Sequence, residues 1–146
     1  MPTKRLRNTP EADLQKAIMA FVFAKQAEYP ELQLLFHPAN GGKRTPVEAA
    51  EFQKMGVRPG VSDLHLPIRN SWGSGKYIGL WIELKAGRGT ASLEQIWWLQ
   101  RMAAYQQRAV ICRSLTDALT EIANYIGADW SHELNQLPPG VGAEVF

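Results

Sequence analysis

Two carboxylates and an amine, Asp63, Glu83 and Lys85, fall in one stretch of the chain. That stretch reads GVSDLHLPI, then a polar, glycine-rich interruption (RNSWGSGK), then YIGLWIELK ending at Lys85. Each apolar run is short, rich in β-formers and bounded by glycine, which predicts two strands of a hairpin. Strand side chains alternate, so Trp81, Glu83 and Lys85 share one face while Leu80, Ile82 and Leu84 share the other. By the same count Asp63 and His65 point together. Charge emerging from an apolar strand is costly unless it is paired or bound to a metal. Asp63 and Glu83 are oxygen donors that can hold a divalent cation, with Lys85 beside them. Hard cations such as Mg²⁺ are held through one or two carboxylates and keep several waters. Such an ion polarises a phosphate and acidifies a bound water, and a neighbouring lysine orients that water or stabilises the developing charge. These are the requirements of phosphodiester hydrolysis. As a bare pattern, the same residues also fit an edge-strand ion pair between Glu83 and Lys85.

The flanking chain supplies elements to position this stretch. Thr9-Pro10 is a helix start, with Leu14, Ile18, Phe21, Val22 and Lys25 on one stripe and Glu11 in the first turn, where it complements the helix dipole. Leu32 to Phe36 is a short strand candidate. It leads into His37-Pro-Ala-Asn-Gly-Gly42, a permissive turn with Lys43 and Arg44 behind it. Thr45-Pro46-Val47-Glu48 starts a second helix with a capping box, and Gly56 ends it. Val57-Arg58-Pro59-Gly60 then turns the chain into the hairpin. Arg88 sits in the loop after Lys85. Ser92 and Gln95 form another capping box, opening a third helix that reaches about Gln107 through Leu93, Ile96, Trp97, Gln100, Met102 and Ala103. Arg108 to Cys112 reads as a buried strand. Ser114 caps a fourth helix that buries Leu115, Leu119, Ile122 and Ile126 and stops at Gly127. The tail, with Pro138-Pro139-Gly140, is expected to be irregular or a docking extension. The order is α-β-α-β-β-α-β-α, a mixed α/β layer fold.

Length and composition bound the function. The 146 residues suffice for one domain with a real core, and 45% apolar content is that of a globular protein. A single cysteine, Cys112, rules out an internal disulfide framework and fits a reducing cytoplasm; its apolar surroundings make it a packed thiol. No apolar segment approaches membrane-spanning length, and no apolar stretch follows Lys4, Arg5 and Arg7 to make a signal peptide. The net charge of +2 is uneven: residues 128–146 carry −3 through Asp129, Glu133 and Glu144, leaving +5 on residues 1–127. That basic excess permits a polyanionic partner. His37 and His65 are too sparse for a zinc site, and Cys112 is not spaced with either. Trp97 and Trp98 read as core and interface residues rather than base-stacking platforms.

From about Glu11 to Gly127 the chain resembles the VRR-NUC family of the PD-(D/E)xK nuclease superfamily. The resemblance rests on several motifs in order. They are a first helix bearing Glu11 and Gln15, the Pro-Ala-Asn-Gly-Gly-Lys-Arg turn, and Gly56-Val-Arg-Pro-Gly-Val-Ser-Asp63-Leu. Next come Gly79-Leu-Trp-Ile-Glu83-Leu-Lys85, Ser92-Leu-Glu-Gln95-Ile-Trp97, and a strand–helix ending in Tyr125-Ile126-Gly127. Ser62 stands where the superfamily's name anticipates proline, a position that supplies no ligand.

The resemblance implies a restriction-endonuclease-like core, a central mixed β-sheet flanked by helices. It implies Asp63, Glu83 and the main-chain carbonyl of Leu84 as ligands of Mg²⁺ or Mn²⁺, and Lys85 as the catalytic lysine. Gln95 would be a further active-site residue, an alternative to its capping role, and Glu11 an assisting acid, an alternative to its dipole role. Asn40, Gly41, Gly42, Lys43 and Arg44, with Arg58 and Arg88, would contact phosphates. The expected organisation is a basic arm over 1–8, the nuclease-like domain over 9–127 and an acidic extension over 128–146. The expected activity is structure-selective cleavage of DNA, with branched DNA such as four-way junctions favoured over a base sequence. A homodimer is expected, in the cytoplasm of a bacterium or a phage-infected host, with no membrane and no small-molecule cofactor. The competing readings are a non-catalytic DNA-binding or assembly subunit of the same fold, which would not need Asp63, Glu83, Lys85 and Gln95 together, and a sequence-specific restriction enzyme, for which no reading module is evident.

Overall fold

Helix starts written locally in the sequence are made in the chain by hydroxyl caps. In the computed structural model, which describes residues 9–39, 44–71 and 75–146, Thr9 Oγ1 accepts from Ala12 N at 3.1 Å and opens α1 (Pro10–Lys25). Reciprocal capping boxes open α2 (Pro46–Lys54) through Thr45 and Glu48, and α3 (Leu93–Ala104) through Ser92 and Gln95. Ser114 caps α4 (Leu115–Ile126), which ends on Gly127 in the left-handed region at φ 72°. Each cap satisfies amide donors that the first helical turn leaves without a partner.

The sheet carries the site. Strands β1 (Leu64–Leu66) and β2 (Leu80–Leu84) pair antiparallel with Leu64 opposite Ile82, and β2 runs parallel to β3 (Arg108–Cys112) with Glu83 opposite Ile111. The parallel pair is joined through α3, the long crossover that parallel strands require. Leu80, Ile82 and Leu84 pack with Leu64, Leu66, Val110 and Cys112 against Ile18 and Val22 of α1 and Leu119 and Ile122 of α4. On the opposite face Trp81, Ala109 and Ile111 pack against Leu99 of α3. The face assignment read from the alternation of β2 is therefore the one the chain adopts, and Cys112 is the buried thiol expected of it.

Two segments depart from the expected order. Leu32 to Phe36 is not a strand: Pro30–Leu34 form a 3₁₀ helix, and only Phe36 bridges to His65. Pro30 fixes the first φ of that turn, and the buried residues Leu32 and Leu35 repeat every three positions, the 3₁₀ period, not every two. The tail is also more ordered than its composition suggests. It contains α5 (Ser131–Leu134) and β4 (Glu144–Val145), which pairs antiparallel with β3. Trp130 is buried edge-on to Phe21, with ring centroids 4.9 Å apart, and Glu133 pairs with Lys25 at 2.8 Å. With those additions the mixed α/β class stands: a four-stranded sheet, order β1-β2-β3-β4, between helices.

Candidate active site

Glu83 is the least exposed charged side chain among the described residues. It is 1% exposed, one residue from the C-terminal end of β2, and its Oε1 accepts from Gln95 Nε2 at 2.8 Å with Lys85 Nζ 3.5 Å away. Its Oε2 is buried and has no protein partner. Lys85, just past the strand end, is itself only 8% exposed. Asp63 lies in the bend before β1, half-buried, and its Oδ2 accepts from Leu84 N at 2.7 Å. Asp63, Glu83, Leu84, Lys85 and Gln95 thus converge as the two strands and the first turn of α3 come together.

Burial pushes the Glu83 carboxyl up to about 8, and the neighbouring Asp63 pushes in the same direction, while Lys85 pulls it down. A buried carboxyl held protonated beside a second acid, and a buried oxygen without a partner, fit a hard divalent cation held through oxygen. Among the described residues no group of three or more His, Cys, Asp or Glu is placed to hold a metal ion, so the protein donors here are the two carboxylates and main-chain oxygen.

Gln95 makes the expected cap and a second contact beyond it: its Oε1 accepts from Ser92 N at 2.9 Å while its Nε2 donates to Glu83 Oε1 at 2.8 Å. The cap pins the amide that positions the carboxylate. Gly60, at φ +77°, presses against the same helix start; a Cβ there would collide with the Glu94 carbonyl and lie 2.8 Å from Gln95 N. Only glycine allows that approach. Glu11 reaches the loop after Lys85: a methyl on Gly89 would lie 3.5 Å from Glu11 Oε1 and 3.9 Å from Lys85 Cδ.

Sequence reasoning missed two positioning residues. His37 Nδ1 is 2.6 Å from the Asp63 carbonyl oxygen, and His37 lines a cavity of about 250 Å³ with Asp63, Gln95 and Arg58. Arg113 clamps the loop after Lys85 by donating to the carbonyls of Gly87 and Gly89, at 3.3 and 2.6 Å. Both contacts join residues more than twenty positions apart, so no local pattern announces them.

The remaining candidates divide. Asn40, Gly41, Gly42 and Lys43 lie outside the described residues. Arg44 stacks over the Phe52 ring at 3.8 Å and, with Arg58, lines a second cavity beside the first. Arg88 is exposed on the turn after Lys85. His65 stacks on Trp81 with centroids 3.7 Å apart and bonds to the Leu80 carbonyl, a packing role. Ser62, in the place of the expected proline, is buried with its hydroxyl unpaired. Trp98 packs edge-on to Trp81, as expected of a core residue, but Trp97 is 57% exposed and is not in the core.

Mixed sheet, flanking helices and the convergence of Asp63, Glu83 and Lys85 at its strand ends define a nuclease-like α/β fold. A solved structure described as a VRR_NUC domain protein superposes on this chain with a TM-score of 0.67 and 26% identity, covering 85% of this chain and 94% of the other. The resemblance to the VRR-NUC family read from the sequence motifs is borne out in the fold. No family profile and no curated protein matches the chain. Among the described residues no helix is long and apolar enough to cross a membrane.

Proposed function

We propose that this chain is a metal-dependent DNA endonuclease that hydrolyses phosphodiester bonds in branched DNA such as four-way junctions. The observation that carries this reading is Glu83: a buried carboxylate with one oxygen held by Gln95 and Lys85 and the other without a protein partner, beside Asp63. Asp63, Glu83 and the Leu84 carbonyl would hold Mg²⁺ or Mn²⁺. Bound there, the ion would polarise the phosphate and acidify a water. Gln95 fixes the Glu83 carboxylate in place, and Lys85 directs its N–H donors toward the attacking water or the phosphate oxygens. Water oxygen bonds to phosphorus, the bond to the 3′ oxygen breaks, and that oxygen leaves with a proton, giving 3′-hydroxyl and 5′-phosphate ends. Arg58 in the cavity with Asp63 and Gln95, Arg44 in the neighbouring cavity and Arg88 on the turn after Lys85 would contact phosphates, and Glu11 would assist from the first helix. One such site serves one strand, so cutting both strands of a junction calls for a homodimer. The single buried thiol fits a reducing cytoplasm, bacterial or phage-infected.

The test is cleavage of labelled four-way junction, flap, duplex and single-stranded DNA with Mg²⁺, Mn²⁺ or EDTA, by wild type and Lys85→Ala. The reading expects metal-dependent cutting of branched substrate by wild type, and binding without cutting by the variant. Equal DNA binding by both with no cutting under any metal would replace it with a binding subunit of the same fold.

A further inference from the structure

We infer that Trp97, with Leu93 and Pro59, is a stacking platform for one unpaired nucleobase beside the phosphate to be cut. This deepens the nuclease reading and rests on it.

Leu93 and Trp97 are one helical turn apart on α3 and are 84% and 57% exposed. Neither belongs to the stripe by which α3 packs on the sheet, where Leu99 is buried and Trp98, Met102 and Ala103 lie against it. With Pro59 and Glu94 they line an open cavity of about 290 Å³. Pro59 also lines the cavity that contains Asp63 and Gln95, so the apolar recess and the candidate active site meet at one turn. The walls are preset, because Gly60 is wedged against the first turn of α3 where no side chain fits.

The chemistry of the recess selects its occupant. Glu94, the one charged residue lining it, repels a phosphate, whereas the indole face and the two aliphatic neighbours offer a surface for a flat ring. Aromatic side chains take bases with little regard to sequence, since every base has a π-face. A paired base inside a duplex is stacked on both sides and would have to leave the stack to use this surface. An unpaired nucleotide at a branch, gap or flap is already available. With the phosphate at Asp63 and Glu83 and its neighbouring base on Trp97, cleavage would be directed to such places without reading sequence. A second copy of the chain is the poorer occupant: three side chains offer far less than the roughly 1,200–2,000 Å² that specific protein interfaces bury.

The experiment uses the full chain and fluorescence anisotropy in EDTA. The probes are a gapped duplex with one unpaired nucleotide and the same duplex with that nucleotide abasic. Wild type is expected to bind the base-bearing probe roughly tenfold or more tightly than the abasic one. Trp97→Phe retains most of that ratio, and Trp97→Ala reduces it to near one. An abasic penalty that is absent in wild type, or equal in wild type and Trp97→Ala, overturns the inference. So does a dimer that becomes monomeric in Trp97→Ala, by sedimentation, with the abasic penalty intact; that result gives the patch to a second copy. Metal-dependent cleavage by wild type, measured alongside, reports on the nuclease reading separately. Cutting without a Trp97-dependent ratio removes this inference alone.

Discussion

Gln95 Nε2 donates to Glu83 Oε1 at 2.8 Å while the oxygen of the same amide accepts from the Ser92 backbone, so one side chain both closes a helix and holds a buried carboxylate. The two duties can be separated. Ser92→Ala removes the hydroxyl that accepts from Gln95 N and should cost about 0.5–2 kcal/mol of stability. Its cleavage rate should stay within a few-fold of wild type. Gln95→Ala removes the Glu83 partner as well, so its rate should fall by more than an order of magnitude for a comparable loss of stability. Thermal unfolding and single-turnover cleavage of both variants check the split.

Glu83 should make stability fall with pH when no cation is present. Its carboxyl is raised from the usual 4.5 to about 8, chiefly by burial, so the native state holds this proton more tightly than the unfolded chain does. Native stability from this group is therefore full at low pH and is lost as pH rises through that window. In EDTA the urea midpoint of wild type should drop relative to Glu83→Gln between pH 4.5 and about 8. A wild-type midpoint that rises relative to the variant over that range would contradict the assignment.

Gly60 sets the distance between the turn after α2 and the first turn of α3. At φ +77°, and with the Glu94 carbonyl against the space a Cβ would need, Gly60→Ala is strained in two ways. The expected cost is about 1–3 kcal/mol, read as a lower denaturant midpoint. Cleavage should also fall, because the displaced turn carries Gln95.

The acidic tail is structural through Trp130. The indole fills the corner between Phe21 and Tyr29, and removing it leaves a cavity under α1 and α4. Trp130→Ala should cost about 3–5 kcal/mol by urea unfolding. Truncation before Ala128 should be at least as damaging, since it also strips β4 from the edge of β3.

What could be read from the sequence was what neighbouring residues decide. Thr9, Thr45, Ser92 and Ser114 announce helices because a cap and its partner are three residues apart. The alternation of Leu80 to Lys85 announced the two faces of β2, and with them the side on which Glu83 lies. Residues settled by distant partners were not legible. The Leu32–Phe36 run has the apolar content of a strand, but Pro30 and the packing of Leu32 and Leu35 turn it into a 3₁₀ helix. The pairing of Glu144 and Val145 with β3 depends on where the tail docks. His37 reaches the Asp63 carbonyl across 26 residues, and Trp97 is exposed because the packing of α3 rotates it off the sheet.

The central claim is that Asp63 and Glu83 hold a divalent cation through carboxylate oxygens, one of them the buried Glu83 Oε2 that no protein group satisfies. Calorimetric titration of Mn²⁺ into wild type, Asp63→Asn and Glu83→Gln, above the pH at which Glu83 ionises, measures it without DNA or turnover. Wild type should bind saturably, and each variant should lose at least roughly tenfold in affinity. Binding by Glu83→Gln as tight as wild type, or no saturable binding by wild type, would contradict it.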